Sequence, residues 1–177
     1  QFDKFIEQTK DVWTHLVDIR KSFEPRAEEL AKKYALAPYT MFIGSGALWG
    51  ETILFSMCIL EEMQWKRTRY ITSADFFHGT LELVEPGVPV FLFMGEDENR
   101  KLDERARAFL TRGVTGDTDI NIIDTAEFAI PGLDDEFRVI VSPWILSSLI
   151  TDRLAAYYET VTKHNLNYRR YYHQFDY

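Results

Sequence analysis

The chain has 177 residues, 46% of them hydrophobic and 15% aromatic, which sizes it for one domain of about 150 residues, at most with an appendage, and supplies ample material for a core. A large multidomain machine and bulk disorder are excluded. The formal net charge of −8 repels nucleic-acid backbones and anionic membranes, so neither is expected as a partner.

Along residues 2–23 the apolar positions Phe2, Phe5, Ile6, Val12, Trp13, Leu16, Val17 and Ile19 fall close to helical spacing. Pro25 suits the first turn of a second helix ending near Tyr34. Pro38 closes this helical region, and residues 39–43 form a short β-prone run that stops at Gly44-Ser45-Gly46. A long apolar helix follows over residues 48–65. Strands are predicted at 69–72, 88–94 and 119–123, with a further possibility at 138–141; helices are predicted at 99–111 and 144–163. The stretch 113–119 reads as a surface loop. Strands alternating with helices mean crossover units, hence an α/β fold with a parallel sheet covered on both faces. The expected division is N-terminal helices over 1–35, the α/β lobe over 36–165, and a tail over 166–177. That tail, with five aromatics and two arginines after residue 167 and no helical period, reads as an ordered segment lying on another surface.

Gln1 stands at the start without a basic or apolar leader, so it reads as a cut end and not as a secretory signal. The longest apolar run, residues 53–60, is bracketed by Glu51 and Glu61 and falls short of the roughly 18 residues of a spanning helix. The single cysteine, Cys58, allows no internal disulfide and suits a reducing compartment; a soluble, cytoplasmic protein is the expectation.

In an open parallel sheet the loops after the strands' carboxyl ends are where ligands usually bind. The first of these, Gly44-Ser45-Gly46-x-x-x-Gly50, could bring backbone N–H groups to an anion at a helix N-terminus; it reads about equally well as a tight turn needing no ligand. Its third glycine is one residue late for a dinucleotide fingerprint, and NAD is disfavoured. Glu61 and Glu62 end the apolar helix. Neighbouring helical residues point about 100° apart, so at most one of them faces a given cleft, and periodicity does not choose between them. A carboxylate held against apolar surroundings would serve as a base near neutral pH. His78, placed by a turn within Asp75-Phe76-Phe77-His78-Gly79, is the side chain suited to proton transfer. His78 with Glu82 makes a poor metal site with no third ligand, and no metal is expected. No nucleophile elbow is present. Acidic knots at Glu96-Asp97-Glu98 and Asp134-Asp135-Glu136 contrast with a basic tail around Arg169-Arg170, His164 and His173.

Taken together, Gly44-Ser45-Gly46, Glu62, His78 sixteen residues further on in Phe-Phe-His-Gly-x-x-Glu-Leu-Val-Glu-Pro-Gly-Val-Pro, and Arg169-Arg170-Tyr171-Tyr172 near Tyr177 resemble the second lobe of a sugar-isomerase (SIS) domain protein of the fructosamine-6-phosphate deglycase branch. The resemblance runs from residue 39 to residue 177. It implies that Glu62 is the base moving a proton between C1 and C2 of an open-chain sugar phosphate, and that His78 assists ring opening or acts as a second acid or base. Gly44, Ser45 and Gly46 are then candidate substrate contacts. The implied reaction converts a ketose-amine phosphate such as fructoselysine 6-phosphate, with water, to glucose 6-phosphate and the free amino acid, without metal or organic cofactor. The alternatives are an aldose–ketose isomerase, an amino-sugar-phosphate deaminase, or a non-catalytic phosphosugar-binding module. Two departures are visible: Tyr172-His173-Gln174 stands where the related glucosamine-6-phosphate synthase has a tail lysine, and Asp75 where relatives commonly have glutamate. The resemblance further implies a first lobe carrying the phosphate-gripping loop, and a homodimer in which the histidine serves the neighbouring subunit's site.

Overall fold

The computed structural model describes residues 1–113, 116 and 118–176. Four strands, β1 (Thr40–Ile43), β2 (Thr68–Ile71), β3 (Val90–Met94) and β4 (Ile120–Asp124), form one all-parallel sheet in the order β2-β1-β3-β4. This is the doubly wound order, with the connections changing direction between β1 and β3. Parallel strands lie buried on both faces, and β1 and β3 accordingly read as unbroken apolar runs, every residue of which is buried.

The pleat sends alternate side chains to opposite faces. Phe42, Phe91, Phe93 and Ile123 face one way, onto α2 (Val12–Tyr34), α3 (Trp49–Ile53, continued as a π-helix over Leu54–Met63), α5 (Asp135–Ser147, continued as a π-helix over Ser148–Leu154) and α6 (Ala155–Thr162). Met41, Ile43, Val90, Leu92 and Met94 face the other way, onto α4 (Arg100–Leu110) and the short turn carrying Phe76. The short α1 (Phe2–Thr9) precedes α2 and packs Phe5 edge-on to Phe137, with ring centroids 5.3 Å apart. Because α2 contributes Leu16, Ile19, Phe23 and Leu30 to the larger core, the N-terminal helices are built into the α/β lobe.

Three elements differ from the sequence expectation. The helix break lies at residues 10–11, and α2 runs straight through Pro25. Proline removes the bond to the carbonyl four residues back, that of Lys21; both residues are exposed, so water can take up that carbonyl. Residues 138–141, β-branched enough to suggest a strand, are the second turn of α5. That helix also begins earlier than residue 144 and runs through Pro143; the carbonyl that Pro143 cannot serve, on Val139, accepts a hydrogen bond from the Ser142 hydroxyl at 3.3 Å. The continuous helical stretch Asp135–Thr162 is long and apolar enough, by length and composition, to cross a membrane. Half of that apolar window is buried here, with Val141, Ile145, Leu149, Ile150 and Leu154 inside the core, which makes it a core helix. The loop expected at 113–119 falls partly on residues 114, 115 and 117, which lie outside the described residues.

Phe42 sits at the centre of the aromatic layer, 5.3 Å from Phe91, 6.0 Å from Phe93 and 5.5 Å from Phe55 between ring centroids. Its ring is fully buried, so Phe42→Ala is expected to lower stability by about 3–5 kcal/mol. Urea denaturation checks this: the midpoint should fall at unchanged slope, and a loss under about 1 kcal/mol would contradict the central position of this layer.

Candidate active site

Glu62 lies in the last turn of the π-helix that continues α3. As the crossover from β1 to β2, that helix runs back along the sheet, so Glu62 sits at the edge where the strands begin. The helix ends at Trp65, which adopts a left-handed backbone (φ 54°), a conformation usually left to glycine and costing about 1–2 kcal/mol for other residues. Two contacts hold Trp65 there. The His164 ring packs against it at 4.5 Å between centroids, and the Arg170 guanidinium stacks over it at 4.2 Å.

Beyond α6 the tail folds back over this helix end. Arg169 Nε donates to Glu62 Oε1 at 3.1 Å, while its Nη1 donates to the carbonyls of Leu166 (2.6 Å) and Tyr168 (2.9 Å). The guanidinium thus braces the tail's own turn and fastens it to the helix. Between helix end and tail lies a cavity of about 440 Å³, whose lining includes Glu61, Glu62, Lys66, Arg67, Arg170 and Tyr171. The Glu62 side chain is 37% exposed, and its second oxygen has no partner among the described residues. It is therefore solvated and paired, not set in the apolar surroundings that the preceding helix sequence suggests. Glu61 takes a different part: its Oε1 accepts from the Thr68 hydroxyl at 2.5 Å, tying the helix to the start of β2.

His78 lies at the other edge of the sheet. It ends a 3₁₀ turn (Asp75–His78) that follows β2 and is anchored by buried Phe76, and Gly79 then takes a φ of 136° that other residues rarely adopt. The His78 side chain is exposed and does not line the cavity around Glu62. β2, four residues or about 13 Å long, separates the start-of-strand edge from the end-of-strand edge.

Gly44, Ser45 and Gly46 form the turn from β1 towards α3, also at the carboxyl edge. Here the polar groups are engaged internally. Ser45 Oγ accepts from the Ser73 amide at 2.7 Å, and Asp97 accepts from the Ala47 amide at 2.6 Å and the Asn99 amide at 2.7 Å. Gly46 has a φ of 55°, and a Cβ added there would run into the Asp97 carboxylate. Buried Asp103 accepts from Ser73 Oγ (2.5 Å) and the Gly95 amide (3.2 Å); burial pushes its carboxyl up despite those two bonds. Burial acts on Asp124 in the same sense and is the largest single influence, but the bidentate Arg100 fork, at 2.9 and 2.6 Å, the Ala126 amide and the charges of Arg100 and Arg107 together outweigh it and hold that carboxyl low. The cavity at this edge is acidic, lined by Glu96, Asp97, Glu98, Asp135 and Glu136. The strand-end loops that the α/β rule singles out thus carry carboxylates, whereas the basic cavity is at the opposite edge. Arg169, which shapes that cavity, has a sequence signal only in the basic, aromatic density of the tail.

Known proteins resemble this chain in sequence and in fold. The chain is 28% identical over 174 residues to fructosamine deglycase FrlB of Bacillus subtilis, covering 97% of the chain and 51% of that protein. It is 30% identical over 170 residues to fructoselysine 6-phosphate deglycase of Escherichia coli K12, covering 94% of the chain and 46% of that protein. A solved Bacillus subtilis structure described as a phosphosugar isomerase superposes with a TM-score of 0.90 at 27% identity, over 99% of this chain and 52% of that one. No protein-family model matches. By fold and by these relatives, the chain is similar to proteins of the sugar-isomerase (SIS) family. Within that family the relatives it matches are named as fructosamine and fructoselysine-6-phosphate deglycases, and it spans about half their length.

If Arg169 fastens the tail, Arg169→Met should speed amide hydrogen exchange of residues 166–172 by about tenfold while amides of β1 and β3 stay protected. Hydrogen–deuterium exchange read by mass spectrometry checks this, and unchanged exchange across the tail would show that the aromatic packing alone holds it.

Proposed function

We propose that the chain is the Glu62-bearing lobe of a phosphosugar deglycase that cleaves ketose-amine phosphates, releasing glucose 6-phosphate and a free amino acid such as lysine. The observation that carries this reading is a carboxylate with one unengaged oxygen, facing a cavity closed by the tail and lined by cations. The names of the relatives point the same way.

In this mechanism Glu62 removes a proton from C1 of the open-chain ketose-amine while the C2 carbonyl oxygen takes a proton from His78, giving the enolamine. Glu62, solvated in the cavity, exchanges its proton with water and then delivers a proton to C2 as the nitrogen lone pair forms the C1=N bond. Water adds to C1, the C1–N bond breaks, and the amine leaves with the proton balance restored through His78. Arg169 suits Glu62 to this role by orientation: its Nε holds one carboxylate oxygen, and the oxygen without a partner among the described residues is left to approach carbon. His78 and Glu62 lie at opposite sheet edges of one chain, so their joint action in one site calls for His78 from a second copy. A homodimer is part of the proposal, and so is a further lobe matching the unshared half of the relatives. A second reading, aldose–ketose isomerisation with the same proton transfer, is favoured by the name of the superposable structure.

Full-length protein tests both. Glu62→Gln and His78→Ala homodimers should each lose about 10²–10⁴-fold in release of glucose 6-phosphate from fructoselysine 6-phosphate. Purified mixed dimers of the two variants, which hold one intact Glu62 opposite one intact His78, should recover about half of wild-type turnover. Turnover of fructose 6-phosphate but not fructoselysine 6-phosphate would establish the isomerase reading. Mixed dimers as inactive as their parents would contradict the shared site.

A further inference from the structure

Lys66 follows the left-handed Trp65 and lines the Glu62 cavity half-buried; its amide donates to the Leu60 carbonyl at 2.8 Å, but its ammonium has no hydrogen bond or ion pair among the described residues. Two more cations share that wall. Among the described residues the exposed Arg67 guanidinium has no ion pair, and that of Arg170 is engaged only by the face of Trp65. With Arg169 the cavity lining holds four cations against two carboxylates, Glu61 and Glu62, an excess of two positive charges. In a chain of net charge −8, a concave wall with a positive excess is the reverse of the overall field. An ammonium taken partly out of water without a counter-charge is unfavourable, and burial lowers the pKa of Lys66 accordingly. A ligand oxyanion would remove that penalty and gain charge-assisted hydrogen bonds from three donors whose backbone is already fixed by the helix end and the tail.

We propose that Lys66, with Arg67 and Arg170, forms an anion-receiving subsite beside Glu62 that takes a carboxylate or phosphate oxyanion of the substrate. It deepens the reading of Glu62 as the base and rests on it for the identity of the substrate. A ketose-amine phosphate carries both kinds of oxyanion: the sugar's phosphate at one end and the amino acid's carboxylate at the other. Lys66 is then a specificity-determining residue, fixing which end of the substrate lies against the tail.

Binding tests this without turnover, so failure of the subsite and failure of the Glu62 assignment are separately visible. Full-length protein is titrated calorimetrically with inorganic phosphate and, separately, with free lysine as the carboxylate probe; Lys66→Met, Lys66→Arg and, as a charge control on α4, Lys101→Met are compared. Lys66→Met should weaken one of the two probes by about tenfold, while Lys66→Arg and Lys101→Met leave it within about twofold of wild type. Loss of phosphate binding assigns the subsite to the sugar's phosphate, and loss of lysine binding to the amino-acid carboxylate. Equal binding of both probes to wild type and Lys66→Met would overturn the proposal, as would an equal loss in Lys101→Met. Thermal melting of Lys66→Met at the wild-type temperature shows that the effect is not unfolding.

Discussion

The ion pair between Arg169 and Glu62 joins residues 107 positions apart, and the candidate site depends on it. Together with the His164 and Arg170 contacts to Trp65, it brings the helix end and the tail to enclose a cavity. The pair has two physical consequences. It holds a carboxylate oxygen in a fixed direction at the cavity wall, and it closes the tail's own turn through the carbonyls of Leu166 and Tyr168. Trp65 reinforces the same junction, its left-handed backbone held by His164 on one side and Arg170 on the other.

Charge divides the molecule between its two sheet edges. At the carboxyl edge, where doubly wound folds usually bind ligands, the Ala47 amide donates to Asp97, the Ser73 hydroxyl to Asp103 and the Ser73 amide to the Ser45 hydroxyl, and the open cavity is lined by carboxylates. An anionic substrate meets repulsion there. At the amino edge the excess is positive, from Lys66, Arg67 and Arg170. Glu62 and His78 also fall on different edges, because one closes the helix that enters β2 and the other follows the turn that leaves it. Proton transfer by both therefore requires two copies of the chain, which gives a physical reason for the homodimer proposed above.

Much of the fold was legible because its signals are local. The unbroken apolar runs of β1 and β3 identify strands buried on both faces, and the alternation of strand and helix identifies the parallel sheet. Residues 138–141 misled because β-branched side chains satisfy a buried helix as readily as a strand; there Arg138, bound to Glu96 and to the carbonyls of Thr125 and Phe128, and the Ser142 bond to Val139 stabilise a helical turn. Pro25 misled because an exposed proline can be accommodated where its unpaired carbonyl faces water. Of the site, Glu62 was distinguished from Glu61 by resemblance alone, since both directions around the helix were open. The partners that separate them, Thr68 for one and Arg169 for the other, are tertiary contacts without a periodic signature, and so is the cluster of cations around Lys66.

The central claim is that Glu62 moves a carbon-bound proton in the tail-closed cavity. It is tested most directly by running the full-length protein with fructoselysine 6-phosphate in D₂O and following deuterium at C2 of the glucose 6-phosphate formed by NMR. The account predicts C2-deuterated product from wild type and its loss, together with product release, in Glu62→Gln. C2-deuterated product formed by Glu62→Gln at the wild-type rate would contradict it.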